Sequence, residues 1–448
     1  MASEVGSTKR LVRRRGDKVE MITKHDSAVT RKEIRVGIVG ANANASWAKL
    51  SHVPAINAIA GLKLAAVATR NEQSAREAAE AFGAERWFSD PFAMIRDDRI
   101  DVITISIKVP AHRELVLAAL AAGKAVYCEA PLGRSIAETE EMASAVGPLH
   151  TAIGLQGRLN PAVRCAARLL ASGKIGRPLN ARIVSATIGF GPELSYGYDY
   201  FNKASSGANL LTITAGHTLD VVEAVLGEIV EVDARTEILW PTVKLTDTGE
   251  KSLRETPDHI DVLGKTQSGA VFMVDISGGV AREDAGFRFE IRGTEGWLNL
   301  TGGHPYGFQA GDLKLTSNVP FSIPNPADAG CNSDRAQYSK GPALPARNAS
   351  RSDAGGHHSA WPDSRTTTRT TTRTRTKRLV RTPGARQVSD GVIAINVGEV
   401  YAHLVRDLQA GTYSTPGFDH ALHNARLIDA VRRAAERGKR QQVLQSIG

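Results

Sequence analysis

The chain has 448 residues, 42% of them hydrophobic and 23% charged, with a formal net charge of +9. That length exceeds one typical domain and the apolar content fills two cores, while no apolar run approaches the ~20 residues that cross a bilayer. Three cysteines, Cys128, Cys165 and Cys331, show no CxxC spacing, which speaks for a reducing, cytoplasmic compartment and against structural zinc.

Residues 1–33 read as a disordered basic tail. The run Lys9 to Arg15 is offset by Glu4, Asp17, Glu20 and Asp26, which argues against a transit peptide and leaves a nuclear address as the alternative. Folded sequence begins at Ile34. The stretch Arg35-Val-Gly-Ile-Val-Gly-Ala-Asn-Ala-Asn-Ala45 is a buried-strand pattern running into a small-residue turn, and Ser46 opens a helix. Strand, turn and helix in that order suit a dinucleotide pyrophosphate, which meets close backbone and a helix N-terminus. The G-x-G-x-x-G spacing is partly kept: Gly40 holds the first position, Asn42 the second and Ala45 the third.

A second strand, Leu62 to Ala68, ends in Thr69, Arg70 and Asn71 with no carboxylate. A carboxylate at this tip would bind a ribose 2′-hydroxyl. Arg70 instead offers a guanidinium fork for a 2′-phosphate, so NADP is expected ahead of NAD. Asp101 to Ile107 is a continuous apolar run suited to a parallel strand covered on both faces. Ala111 to Ala122 follows as a helix ended by Gly123, then Lys124 to Cys128 as a strand leading into Glu129-Ala-Pro-Leu132. Repeated alternation of this kind predicts a doubly wound parallel sheet over 34–150, a Rossmann-type α/β domain. Ligands in such sheets lie beyond the carboxyl ends of the strands. Asn42, Arg70, Val109, His112 and Glu129 are therefore expected in one crevice.

Residues 151–323 read as a second α/β domain. Asn160 and Pro161 open a helix with cap and first-turn proline, and Arg158 just before them is a candidate clamp for substrate or cofactor, or half of an interdomain ion pair. Thr266 to Ala270 and Gly293 to Gly296 are turn signals between alternating strands, predicting a mainly antiparallel sheet. Its exposed face is a candidate surface for a homo-oligomer. Residues 324–390 read as a low-complexity insertion, with the run Thr366 to Lys377 built from Thr, Arg and Lys. Eight basic residues and no acidic ones stand between Ser364 and Ser389, so the rest of the chain is close to neutral. No aromatic residue interleaves with these arginines, which weighs against nucleic-acid binding. Residues 391–448 carry two amphipathic helices that complete the fold.

These residues together resemble the glucose–fructose oxidoreductase/inositol dehydrogenase family. The resemblance rests on Val-Gly-Ile-Val-Gly40, Ala68-Thr-Arg70, Val109-Pro-Ala-His112, Glu129-Ala-Pro131 and Gly216-His-Thr-Leu-Asp220. It implies a Rossmann domain followed by an α/β domain with a large, mainly antiparallel sheet, and hydride exchange between NAD(P) and a sugar or polyol. The family's usual lysine, in Glu-Lys-Pro, is Ala130 here. Its aspartate one turn before the histidine falls in Thr212-Ile-Thr214. These departures, with Leu155-Gln-Gly-Arg158, Tyr198-Asp-Tyr200 and Pro257-Asp-His259, are similar to the branch of the fungal repressor of galactose metabolism. Two expectations follow: an oxidoreductase with an atypical active site, or a catalytically silent, dinucleotide-binding regulator with a protein partner. His112 and His217 are the candidate acid–base groups. Cofactor contacts are expected from Gly40, Asn42, Ala45, Thr69, Arg70, Val109, His112, Glu129 and Arg158. No spacing typical of a metal site is present.

Overall fold

The computed structural model describes residues 33–44, 46–322 and 393–443. The N-terminal tail, Ala45 and the Thr/Arg-rich insertion lie outside the described residues. Six strands, β1 (Ile34–Val39), β2 (Leu62–Ala68), β3 (Arg86–Phe88), β4 (Val102–Ile105), β5 (Ala125–Cys128) and β6 (Thr151–Ile153), form one parallel sheet in the order β3-β2-β1-β4-β5-β6. This is the doubly wound dinucleotide-binding order, with its switch point between β1 and β4. β6 pairs with β5, so the first sheet continues past the expected boundary at residue 150.

Helices α1 (Trp47–Leu50), α2 (His52–Ala58), α3 (Glu72–Phe82), α4 (Pro91–Ile95), α5 (His112–Ala121) and α6 (Ile136–Ser144) connect these strands. The helix expected from Ser46 is broken after one turn. Ser51 Oγ bonds back to the Trp47 carbonyl at 2.7 Å, and Pro54 has no N–H to continue the ladder.

The second domain starts with α7 (Pro161–Ala171), capped by Asn160, whose side chain accepts from the Ala162 amide at 2.9 Å. It continues through β7 (Pro178–Thr187), β8 (Glu193–Leu194), α8 (Gly216–Leu226), β9 (Ile229–Glu237), β10 (Thr242–Leu245), β11 (Lys251–Leu253), β12 (His259–Thr266), β13 (Val271–Gly278), β14 (Gly286–Gly293), β15 (Trp297–Gly302) and β16 (Leu313–Ser317). With β17 (Gln441–Gln442), seven of these strands build an eight-stranded sheet in the order β16-β15-β14-β7-β13-β12-β9-β17. All its neighbours are antiparallel except β7 and β13. Period-two alternation of buried and exposed residues along β12 and β13 places one face on α7, α8 and α10 (Phe418–Arg437) and leaves the other open.

The last helices return to both domains. Ala394, Val397, Val400, Tyr401 and Leu404 of α9 (Ala394–Ala410) enter the first domain's core beside Val36 and Ile38. Asn396 ties this helix to the second domain: its amide donates to the carbonyls of Gln309 and Gly311 at 2.8 and 2.9 Å, and it accepts from Asn160 at 2.9 Å. Among the described residues no helix is long and apolar enough to cross a membrane.

Candidate functional site

The turn after β1 lies hard against the tip of β4. Gly40 has φ +96°, and a Cβ there would stand 2.2 Å from the Ser106 carbonyl oxygen and 2.6 Å from Ile107 Cγ2. Asn42, in place of the second glycine, closes the turn with its side chain: Oδ1 accepts from the Asn44 amide at 2.8 Å. Its carbonyl accepts from Ser46 Oγ at 2.9 Å. At the tip of β2, Thr69 Oγ1 lies 2.6 Å from Ser74 Oγ, and Asn71 caps α3 through the Ser74 amide at 2.9 Å. Those polar groups shape the turn. Arg70 between them is exposed and forms no ion pair among the described residues.

The structure separates two residues that the sequence grouped with this crevice. Val109 is buried in the short 3-10 turn after β4. His112 is 1% exposed, with Nδ1 3.1 Å from the Leu132 carbonyl and Nε2 3.0 Å from the Ile107 carbonyl. Burial lowers its pKa, against the pull of those carbonyls. An imidazole so enclosed is a strut between the loops after β4 and β5. It does not present a nitrogen to a substrate, contrary to the expected acid–base role.

Glu129 follows directly on β5 and is half-buried. Its Oε1 is 2.8 Å from His52 Nε2, His52 Nδ1 is 3.0 Å from Tyr401 Oη, and Tyr401 Oη is 2.8 Å from Thr104 Oγ1. A carboxylate only accepts, so a neutral His52 carries its proton on Nε2. Nδ1 then accepts from Tyr401, whose oxygen accepts from Thr104. Sequence reading missed this chain, because its two middle members come from α2 and α9, far apart in sequence.

On the substrate side, the five residues Leu211–Ala215 are wound as a π-helix leading into α8, a local irregularity often found at functional sites. His217 on α8 is 4% exposed, and its Nδ1 has no hydrogen-bond partner among the described residues. Burial pulls its pKa down to about 4, although the charges of Asp220 and Glu129 act upward. Asp220 Oδ1 accepts from Arg158 Nη1 at 2.6 Å and meets His420 Nε2 at 2.6 Å. Burial raises this carboxyl, yet the Arg158 and His420 charges outweigh it and the pKa falls below the ordinary value. Arg158 is thus held by Asp220, as half of an ion pair that joins the domain junction to α8. Two more buried atoms near this junction are unpartnered among the described residues, Gln156 Oε1 and Asp220 Oδ2. The Ala130 side chain offers no polar atom, and Thr212 Oγ1 is spent on Asn209, accepting from its backbone amide at 3.0 Å. A cavity of about 980 Å³ runs past Ala130, Leu155, Asn209, Thr212, Asn424 and Arg432.

Away from local spacing, pairing of β12 with β13 sets Asp261 opposite Asp275. With His259, their ligating atoms all lie within 4.8 Å of one another on exposed or half-buried positions. Period-two strands hide such a cross-strand group from a reading of sequence spacing.

Residues 34–152 match the model of an oxidoreductase family with an NAD-binding Rossmann fold, and residues 161–302 match that of the Gal80p C-terminal domain. A dehydrogenase of Aspergillus oryzae, AclE, is 31% identical over 249 residues, covering 52% of this chain and 67% of that protein. The chain belongs to this oxidoreductase family. The galactose/lactose metabolism regulatory protein GAL80 of Kluyveromyces lactis is 29% identical over 310 residues, covering 62% of this chain and 66% of that protein. Levoglucosan dehydrogenase of Pseudarthrobacter phenanthrenivorans is 29% identical over 247 residues, or 51% and 63%. The chain therefore spans about two thirds of the length of these curated relatives.

Among solved structures, a super-repressor mutant of Gal80p from Saccharomyces cerevisiae superposes with TM-score 0.69 at 21% identity, over 92% of this chain and 98% of that one. Levoglucosan dehydrogenase in complex with NADH and L-sorbose gives 0.67 at 23%, over 92% and 100%. These two likenesses establish the fold, a Rossmann domain followed by a mixed, mostly antiparallel sheet.

Proposed function

We propose that this family member binds NADP in the crevice at the carboxyl ends of β1, β2, β4 and β5 and exchanges hydride with a CH–OH group of a sugar or polyol, using His217 in place of a lysine-centred site. The observation that carries this reading is the buried His217 Nδ1, which has no hydrogen-bond partner among the described residues; Asp220 Oδ2 on the same helix and Gln156 Oε1 on the segment before α7 are likewise unpartnered there. Buried polar atoms left over in this way call for a ligand or water, and a polyhydroxylated ligand supplies donors and acceptors together. A neutral imidazole is the base form that takes the hydroxyl proton as hydride leaves carbon. When bound, the dinucleotide supplies the hydride acceptor. Gly40 admits its pyrophosphate, Asn42 and Thr69 shape the flanking turns, Glu129 lines the crevice, and the exposed Arg70, with no ion pair among the described residues, is offered to a 2′-phosphate. Arg158 acts through its hold on Asp220.

Arg70→Asp is expected to weaken NADP binding by about 10- to 100-fold, as for a lost charge-assisted contact, and to leave NAD binding equal or better. Isothermal titration with both dinucleotides checks this. Unchanged NADP affinity removes Arg70 from the site.

A second reading, favoured by Ala130, is a dinucleotide-bound regulator that recognises a protein segment in the cavity beside it. A panel of sugars and polyols with NADP⁺, followed by absorbance of the reduced cofactor, separates the two. Turnover by the wild type supports the enzyme. Tight dinucleotide binding with no turnover, in the wild type and in Ala130→Lys alike, supports the regulator. The open face of the large sheet exposes Val184, Leu263, Val271 and Met273, an apolar patch that supports pairing with a second copy of the chain.

A further inference from the structure

Dinucleotide pyrophosphate needs positive charge, and the usual source is weak here. The helix after the Gly40 turn is a single turn, Trp47–Leu50, so few peptide dipoles align behind it. The nearby Lys49 folds its ammonium back onto the turn, donating to the Ala43 carbonyl at 2.7 Å. Lys108 stands across the crevice, three residues past β4. The backbone that carries it is fixed: a Cβ on Gly40 would strike Ser106 and Ile107, and the Ile107 carbonyl faces His112 Nε2 at 3.0 Å. Lys108 is exposed, forms no ion pair among the described residues, and sets its Nζ 4.5 Å from the ring centroid of Tyr200 in the second domain. A cation over an aromatic face keeps its charge while its stem is held in place.

We infer that Lys108 is a dinucleotide-binding residue, its ammonium seated by Tyr200 at the mouth of the crevice so as to pair with the pyrophosphate. The seat comes from the second domain, so one cation joins both walls to the cofactor. The inference rests on the dinucleotide reading above, and its test keeps the two apart. Titration of the full chain compares NADP with adenosine 2′-monophosphate, which carries the 2′-phosphate but no pyrophosphate.

Lys108→Met is expected to raise the Kd for NADP about tenfold to a hundredfold, the range for removing a charged hydrogen-bond donor. It is expected to leave adenosine 2′-monophosphate unaffected, and Lys108→Arg is expected to restore NADP affinity. Unchanged NADP affinity in Lys108→Met, with wild-type binding intact, overturns the inference and leaves the dinucleotide reading standing. Equal losses for both ligands also overturn it, because the defect is then not at the pyrophosphate. A wild type that binds no NADP overturns both.

Discussion

His217→Asn is expected to lower kcat/KM on the best sugar or polyol substrate by roughly 10²- to 10⁴-fold, the usual contribution of a positioned base, with NADP affinity unchanged. Asparagine keeps a polar group of similar reach but cannot take a proton. In the wild type, the acid limb of kcat/KM is expected near pH 4, where burial has moved this imidazole from its ordinary 6.5. Stability carries the same signature. The folded chain holds the ring neutral while the unfolded chain protonates it below about 6.5, so stability falls as pH drops from there toward 4 and this contribution then levels off. Denaturant midpoints against pH for the wild type and His217→Asn read this directly, and the asparagine variant should lose that part of the slope. A rate profile with its acid limb near 6.5 would move the base elsewhere.

Gly40→Val is expected to abolish measurable NADP binding and to lower the melting temperature. The backbone there has φ +96°, and the new Cβ would sit 2.2 Å from the main-chain oxygen of Ser106, just past β4, an atom that no rotamer change can move. Strain of this kind costs roughly 1–3 kcal/mol per residue, and relieving it separates β1 from β4 where the pyrophosphate has to lie. Calorimetric titration and a thermal melt check the two effects. Gly83→Ala, where φ is +69° and no atom lies within 4 Å of a new Cβ, is the control for conformational strain without a clash. NADP binding by Gly40→Val at wild-type affinity would place the dinucleotide away from this turn.

The first domain was legible in the sequence because its signals are local. Largely apolar runs at Ile34–Val39, Leu62–Ala68 and Val102–Ile105, alternating with helices, leave little choice but a parallel sheet covered on both faces. Residue identity alone also settled that the Ala130 side chain has no proton to give and that no carboxylate stands in Thr69–Asn71 at the tip of β2. Short strands such as β3 and β8, and the π-helical turn before α8, carried no comparable periodic signal.

What only the tertiary structure decided are roles set by neighbours distant in sequence. His112 reads as a crevice base from its position after a strand. The carbonyls of Ile107 and Leu132 make it a strut, because an imidazole enclosed in apolar surroundings is useful only where its nitrogens find partners. Arg158 reads equally as a clamp or an ion pair, and Asp220 with His420, 262 residues further on, fixes it as the latter. His52 and Tyr401, 349 residues apart, meet because α9 returns to fill the first domain's core. The sequence thus determined which chemical groups exist and which are missing. Packing, through burial and the partners each polar atom must find, decided which of them are enclosed and which neighbours hold them.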